Sequence, residues 1–403
     1  MIERLDIVAR KSNFIHPLVI FLLVWALVIG LYTAHLSELL LYSPSEVLEV
    51  TAWVVLPYCI TIAFLSALRG AMVNLFGAKR HSEPIVQDAV ASRIRWWFGF
   101  WVSITLVEIV VSGGLPIVWL IRGSAKTYFD FGIPSVHGLM NSLLLSIGLV
   151  HVALFALGGR LKNLWIPGWV VCWSFLAVTR NMMTVFLIEA AFVWVLLRGI
   201  RWRTGLRAVA GLILAILLFG YLGDLRSGAE AFRALAQPTS DYPEWLPSGV
   251  LWVYIYLTTP IGNLVNTTLA VHPLNSFLFP NTTSLLFPTV LRTLLYGKTE
   301  AATAFGGELV TNAFNVSTAF VGPYQDFGKI GIALFSAFFG GVASYFWSRD
   351  GLKGALFYAV VAQCIVLSVF FDHLLYLPVI SQVFWLWFFL RPVRAERWEA
   401  PKE

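Results

Sequence analysis

The sequence predicts an all-α polytopic membrane protein of about ten transmembrane helices, with both termini on one side and one large loop on the other. Three observations predict it. First, the chain of 403 residues is 58% hydrophobic and 12% charged, with a mean hydropathy of +0.77. Soluble domains carry about 25% charge and about 45–50% apolar residues, so the excess needs a bilayer. Second, apolar runs of about 20 residues, long enough to cross the hydrocarbon core, recur along the chain. Third, Lys and Arg are sorted. With the N-terminus cytoplasmic, 20 of the 28 basic residues and only 8 of the 22 acids fall in cytoplasmic segments, as the positive-inside rule requires.

The spans expected in order are 16–34, 50–68, 96–121, 139–158, 164–179, 182–197, 207–223, 329–348, 354–371 and 377–390. The fifth and sixth are divided at Arg180-Asn181, because one unbroken span there would be too long. The first is too long for a cleavable leader and no small-residue cleavage site follows it. Three regions result: helices one to seven over 1–223, a far-side loop over 224–328, and helices eight to ten with a cytoplasmic tail over 329–403. The cytoplasmic segment 69–95 is polar and short-helical, and no cytoplasmic turn is large enough to fold as a nucleotide-binding module. Within the loop, 250–270 is apolar and aromatic but interrupted by Pro260 and Gly262, which reads as an interfacial or re-entrant helix. A loop this long has a use. A smaller far-side loop covers 122–138.

The net charge of +6 is the sum of a basic face and a slightly acidic remainder, so it implies no nucleic-acid partner. Cys59, Cys172 and Cys364 fall in spans without metal or redox spacing and read as small apolar residues. No phosphate loop, His-Glu-x-x-His, Cys-x-x-Cys, Gly-x-Ser-x-Gly or Asp-x-Asp is present, which removes support for an ATPase, zinc peptidase, serine hydrolase or metal-dependent glycosyltransferase. No internal or inverted repeat is visible, against two-halved transporter folds. No cofactor is implied.

The remaining chemistry lies off the basic face. Arg180 sits in a short turn between apolar spans, where a cation needs a partner or water; it can grip phosphate or simply snorkel. Arg226 follows the seventh span and either faces the same site or pairs with Asp224. Arg233, Arg292 and Lys298 lie further out. Glu108 and Glu189 are acids inside spans. Glu108 precedes a helix-breaking Gly113-Gly114-Leu115-Pro116, suggesting a cavity wall, whereas Glu189 reads as a partner for a buried cation. His137, after Gly132-Ile133-Pro134, is a candidate base or a plain hydrogen-bonding residue. His151 reads as a satisfied core residue, and His373 beside Asp372 as a weaker base. Trp245, Trp252, Tyr254 and Tyr256 can stack on sugars or form an interfacial belt.

Several of these segments together resemble the oligosaccharide repeat-unit polymerases, the Wzy class of O-antigen and capsule polymerases. They are Glu108 with the Gly-Gly-Leu-Pro break, Tyr128 to Gly138, Arg180, Asn312-Ala313-Phe314-Asn315-Val316-Ser317-Thr318, and Tyr324-Gln325-Asp326-Phe327-Gly328 with Gly331. The resemblance covers roughly 100–340. An arginine-ten residues-glycine pattern of some members is absent. The resemblance implies a GT-C-like, metal-independent glycosyltransferase in the bacterial inner membrane, with its active site facing the periplasm. Such an enzyme moves a growing glycan from polyprenyl diphosphate to a sugar hydroxyl of the next lipid-linked unit; a chain-length regulator is a possible partner besides the bilayer. The expected catalytic set is Arg180, Arg226, Glu308, Asp326, His137 and Glu108. The expected substrate-binding set is Arg233, Arg292, Lys298, Asn312, Asn315, Tyr324, Trp252 and Tyr256. Asp326 has a plain alternative as a helix cap before the eighth span. An O-antigen ligase, or a flippase or other transporter, stays open.

Overall fold

The structure, a computed structural model, describes residues 13–76, 87–199, 229–243, 245–246, 248–296 and 307–391, with isolated positions between 205 and 214. Among them it is helical, with one isolated β-bridge between Ser37 and Pro238. The main helices are α1 (Pro17–Thr33), α2 (Pro44–Phe76), α3 (Gln87–Ser112), α4 (Pro116–Ile121), α5 (Val136–Gly158), α6 (Trp165–Leu176) and α7 (Arg180–Arg198). Then come α8 (Ala229–Ala236), α9 (Ser248–Ala270), α10 (Pro280–Thr283), α11 (Thr289–Tyr296), α12 (Val321–Trp347), α13 (Gly351–Leu367) and α14 (Leu377–Phe389).

Five stretches are long and apolar enough to cross a membrane: Pro44–Ala71, Ser92–Ile121, Val136–Gly158, Arg180–Arg198 and Val321–Trp347. Helices α1, α13 and α14 are apolar but shorter. The chain has the make-up of a helical membrane protein. Every expected span except 207–223, which lies largely outside the described residues, is helical, the third being divided between α3 and α4. The fifth contracts to the 12 residues of α6, about 18 Å of helix against a hydrocarbon core of about 30 Å.

Local chemistry sets the boundaries. Pro17 opens α1 at a position where its missing N–H costs nothing, and His16 Nδ1 accepts the Leu18 N–H. Gly113 and Gly114, at φ +76° and +137°, end α3 at the expected break. Inside α12, Phe327 and Gly328 leave helical geometry, so the long apolar part begins at Lys329, where the eighth span was expected.

Central α5 packs against α3, α6, α7 and α14. Gly148 permits this closeness: a Cβ there would lie 2.7 Å from Val170 and 2.9 Å from Phe186, the use of small residues usual in membrane bundles. A second group joins α1, α2, α12 and α13, where Phe21 stacks on Tyr58 at 3.8 Å.

The chain alternates between two ends. The basic end carries Arg160, Lys162, Arg198, Arg349 and Lys353. There Arg69 donates to the Ser344 carbonyl and Arg93 to those of Phe389 and Arg391. The loop end gathers 34–43, 113–135, 177–179 and 368–376. It is stitched together by hydrogen bonds from Thr239 N–H to Leu36 O, Thr289 N–H to Ser135 Oγ and Ala319 N–H to Ser368 O.

One expected segment gains a definite shape, and three expectations are corrected. Segment 250–270 forms a single helix: α9 runs unbroken through Pro260, mostly buried, against α1, α2 and α12. Thr258 and Thr259 bond back to the carbonyls four residues earlier, so this polar-looking stretch is internally satisfied. Glu189 is fully buried, but its partner is the Gln382 amide (2.6 Å) rather than a cation. His151 is not satisfied, because Nδ1 is buried without a partner among the described residues. Asp326 does cap a helix, but the helix is α10.

Candidate active site at the loop end

Glu108, on α3, is completely buried. Its Oε2 lies 3.0 Å from His137 Nδ1, and its Oε1 accepts the Ile133 N–H at 3.1 Å. The small loop brings histidine to carboxylate through unusual backbone. Gly132 has φ +88°, and a Cβ there would lie 2.7 Å from the His137 side chain; Ser135 also has positive φ. Gly132 N–H is held by Ser112 Oγ, and Phe131 packs edge-on to the His137 ring. On the ring's other side, Asn141 Nδ2 lies 2.9 Å from Nε2, and Trp173 Nε1 donates to Asn141 Oδ1 at 3.3 Å.

Arg180 is the exposed first residue of α7. The preceding turn is strained: Val178, a β-branched residue, has φ +55°, and the Thr179 hydroxyl is buried without a partner among the described residues. Strain of this kind concentrates at functional sites. Burial pushes the Tyr128 hydroxyl up and nearby Arg180 pulls it down, so the arginine stands by the small loop. Two Thr127 hydrogen bonds in that loop hold Asp130 low.

Arg292, on α11, acts on Tyr376, whose hydroxyl burial raises and the guanidinium lowers. Tyr376 belongs to the connection that carries Asp372 and His373. Burial raises Asp372 to about 7 against the N–H groups of Leu375 and Leu374, and lowers His373 to about 4. The Ser135–Thr289 tie and the approach of Pro378 to Gly138 join this connection and α11 to the small loop.

Glu108, His137, Arg180 and Arg292 are therefore gathered at the loop end. Other expected residues have other places. Asp326 is buried and accepts four hydrogen bonds, from Asn281 N–H and Nδ2 and from Thr282 N–H and Oγ1, at 2.6–3.1 Å. Its oxygens are committed, so a base role would cost it an anchor. Tyr324 donates to the Thr268 and Val271 carbonyls. Trp252 and Tyr256 stack on each other at 5.4 Å and meet Phe314 edge-on; beside this platform, Asn312, Asn315 and Glu308 are exposed. Arg233 stands by Tyr242. Arg226 and Lys298 lie outside the described residues. Sequence reasoning missed Asn141 and Trp173. The available signal was Asn141 four residues after His137, a spacing that shares a helix face.

No family model, curated protein or solved structure matches the chain.

Proposed function

We propose that the protein is a metal-independent membrane glycosyltransferase that polymerises lipid-linked oligosaccharide repeat units. It would lie in the bacterial inner membrane with its basic end cytoplasmic and its loop end periplasmic, as a GT-C-like enzyme. The observation that carries this reading is the Glu108–His137 pair at 3.0 Å, on the same end as Arg180 and Arg292. A histidine that gives its Nδ1 proton to a carboxylate keeps Nε2 as its basic atom. In the reaction the acceptor sugar oxygen bonds to the anomeric carbon and its proton passes to Nε2. The bond to the diphosphate oxygen breaks, and the electron pair leaves on the diphosphate. Guanidinium groups stabilise that departing charge. Arg180 suits the task, because a cation at a helix N-terminus adds to the positive end of the macrodipole and the pair together favours an anion. The Trp252–Tyr256 platform supplies ring faces for the glycan, and Asn312 and Asn315 supply amides.

The test incubates purified protein with a defined polyprenyl diphosphate-linked repeat unit. Wild type yields a ladder of dimers and longer products. His137→Ala and Arg180→Ala lose it by about 10²-fold or more at unchanged protein level. Wild-type ladders in both variants refute the assignment. Transfer only to lipid A-core identifies a ligase, and movement across the bilayer without new bonds a transporter.

A further inference from the structure

Asn141 lies one turn beyond His137 on α5. Its amide bridges two rings, and the chemistry of those rings fixes its orientation. The Trp173 indole N–H can only donate, so the atom it meets at 3.3 Å is the Asn141 carbonyl oxygen. The amide NH2 then faces His137 Nε2 at 2.9 Å. It too can only donate, so Nε2 accepts and carries no proton. The ring proton is on Nδ1, facing Glu108 Oε2 at 3.0 Å. The buried carboxylate takes its second bond from Ile133 N–H. Each donor therefore points the same way, from Trp173 through Asn141 and His137 to Glu108.

We infer that Asn141 is a positioning residue that, with its amide set by Trp173, holds His137 as the Nδ1–H tautomer and keeps the Nε2 lone pair facing a donor. This rests on the reading of His137 as the proton acceptor. In the resting enzyme the amide N–H occupies that lone pair. An acceptor hydroxyl replaces it with another donor of the same polarity, so the ring binds substrate without changing tautomer. His137 keeps 20% side-chain exposure for the exchange.

The test is long-range ¹H–¹⁵N correlation on histidine-labelled full-length protein in nanodiscs, with His137→Gln to assign the ring. In wild type, Nδ1 falls in the protonated range and Nε2 in the unprotonated one. Asn141→Asp places an acceptor against Nε2, so both nitrogens move to the protonated range. With no lone pair left, polymer formation falls by about 10²-fold in kcat while KM for the lipid-linked unit holds. Trp173→Phe keeps the ring but frees the amide to turn, giving a second population with Nε2 protonated. A protonated Nε2 in wild type, or an unprotonated one in Asn141→Asp, overturns the inference. So does a protonated Nε2 in Asn141→Asp with wild-type turnover. Failure of the underlying reading looks different: His137→Ala itself retains the ladder, whatever the tautomer.

Discussion

Asp372 and His373 are neighbours in one buried connection, and burial drives both toward their neutral forms, Asp372 up to about 7 and His373 down to about 4. Unfolded, they titrate near 4 and near 6.5. Between about pH 4 and 6.5 the folded aspartate holds a proton that the unfolded one has released, which lowers stability as pH rises. The folded histidine lacks a proton that the unfolded one holds, which raises stability as pH rises. The two slopes cancel in the parent. Asp372→Asn leaves the histidine alone, so stability increases across about pH 4 to 6.5. His373→Gln leaves the aspartate alone, so stability declines across about pH 4 to 7. Thermal melts of the two variants over this range decide it; slopes of the same sign would refute the account. The sequence offers His373 beside Asp372 as a weaker base, but their opposed titrations are not legible in it, because burial in a connection between helices is a tertiary property.

At the scale of elements, the turn before α7 concentrates cost in three residues. Val178→Gly removes the left-handed strain at the expense of some chain entropy. The expected outcome is a net gain of about 1 kcal/mol, read as a higher Tm, with polymer formation reduced because Arg180 is held less firmly. A Tm at or below wild type contradicts strain at Val178. Asp326→Ala has the opposite sign: it strands the donors of Asn281 and Thr282 and costs about 3 kcal/mol, seen as a lower Tm. The helices themselves were legible, because a span is specified by a local run of apolar residues. The Gly-Gly-Leu-Pro break and the start of the eighth span were legible for the same reason. The place of α9 was not. Pro260 and Gly262 look like interruptions, and nothing local shows that Asn263 donates to the Phe314 and Val316 carbonyls and accepts from Val310 N–H. In the site, Glu108 stood out as an acid inside a span and His137 as a histidine after Gly132-Ile133-Pro134 in the small loop. Their pairing depends on the Gly132 and Ser135 backbone, and the role of Asn141 on an indole 32 residues away.

For the whole molecule, the two ends predict a sidedness that can be measured. In a background lacking Cys59, Cys172 and Cys364, Glu38→Cys at the loop end should react with a membrane-impermeant maleimide added to spheroplasts. Arg160→Cys should react only after the membrane is opened. The reverse pattern would invert the topology and move the proposed chemistry to the cytoplasm. A different consequence follows from two bonds between segments far apart in the sequence. Trp25 Nε1 donates to Ser368 Oγ, and Tyr358 OH donates to the Ile15 carbonyl, each across 343 positions of sequence. Each bond can form only after the residues between its two partners have been made. During synthesis α1 can stack Phe21 on Tyr58 of α2 long before these partners exist, and contacts of such separation form late. Nascent chains stopped short of α13 should therefore hold α1 on α2 and α9 but without these two bonds, and be more open to protease than the finished fold.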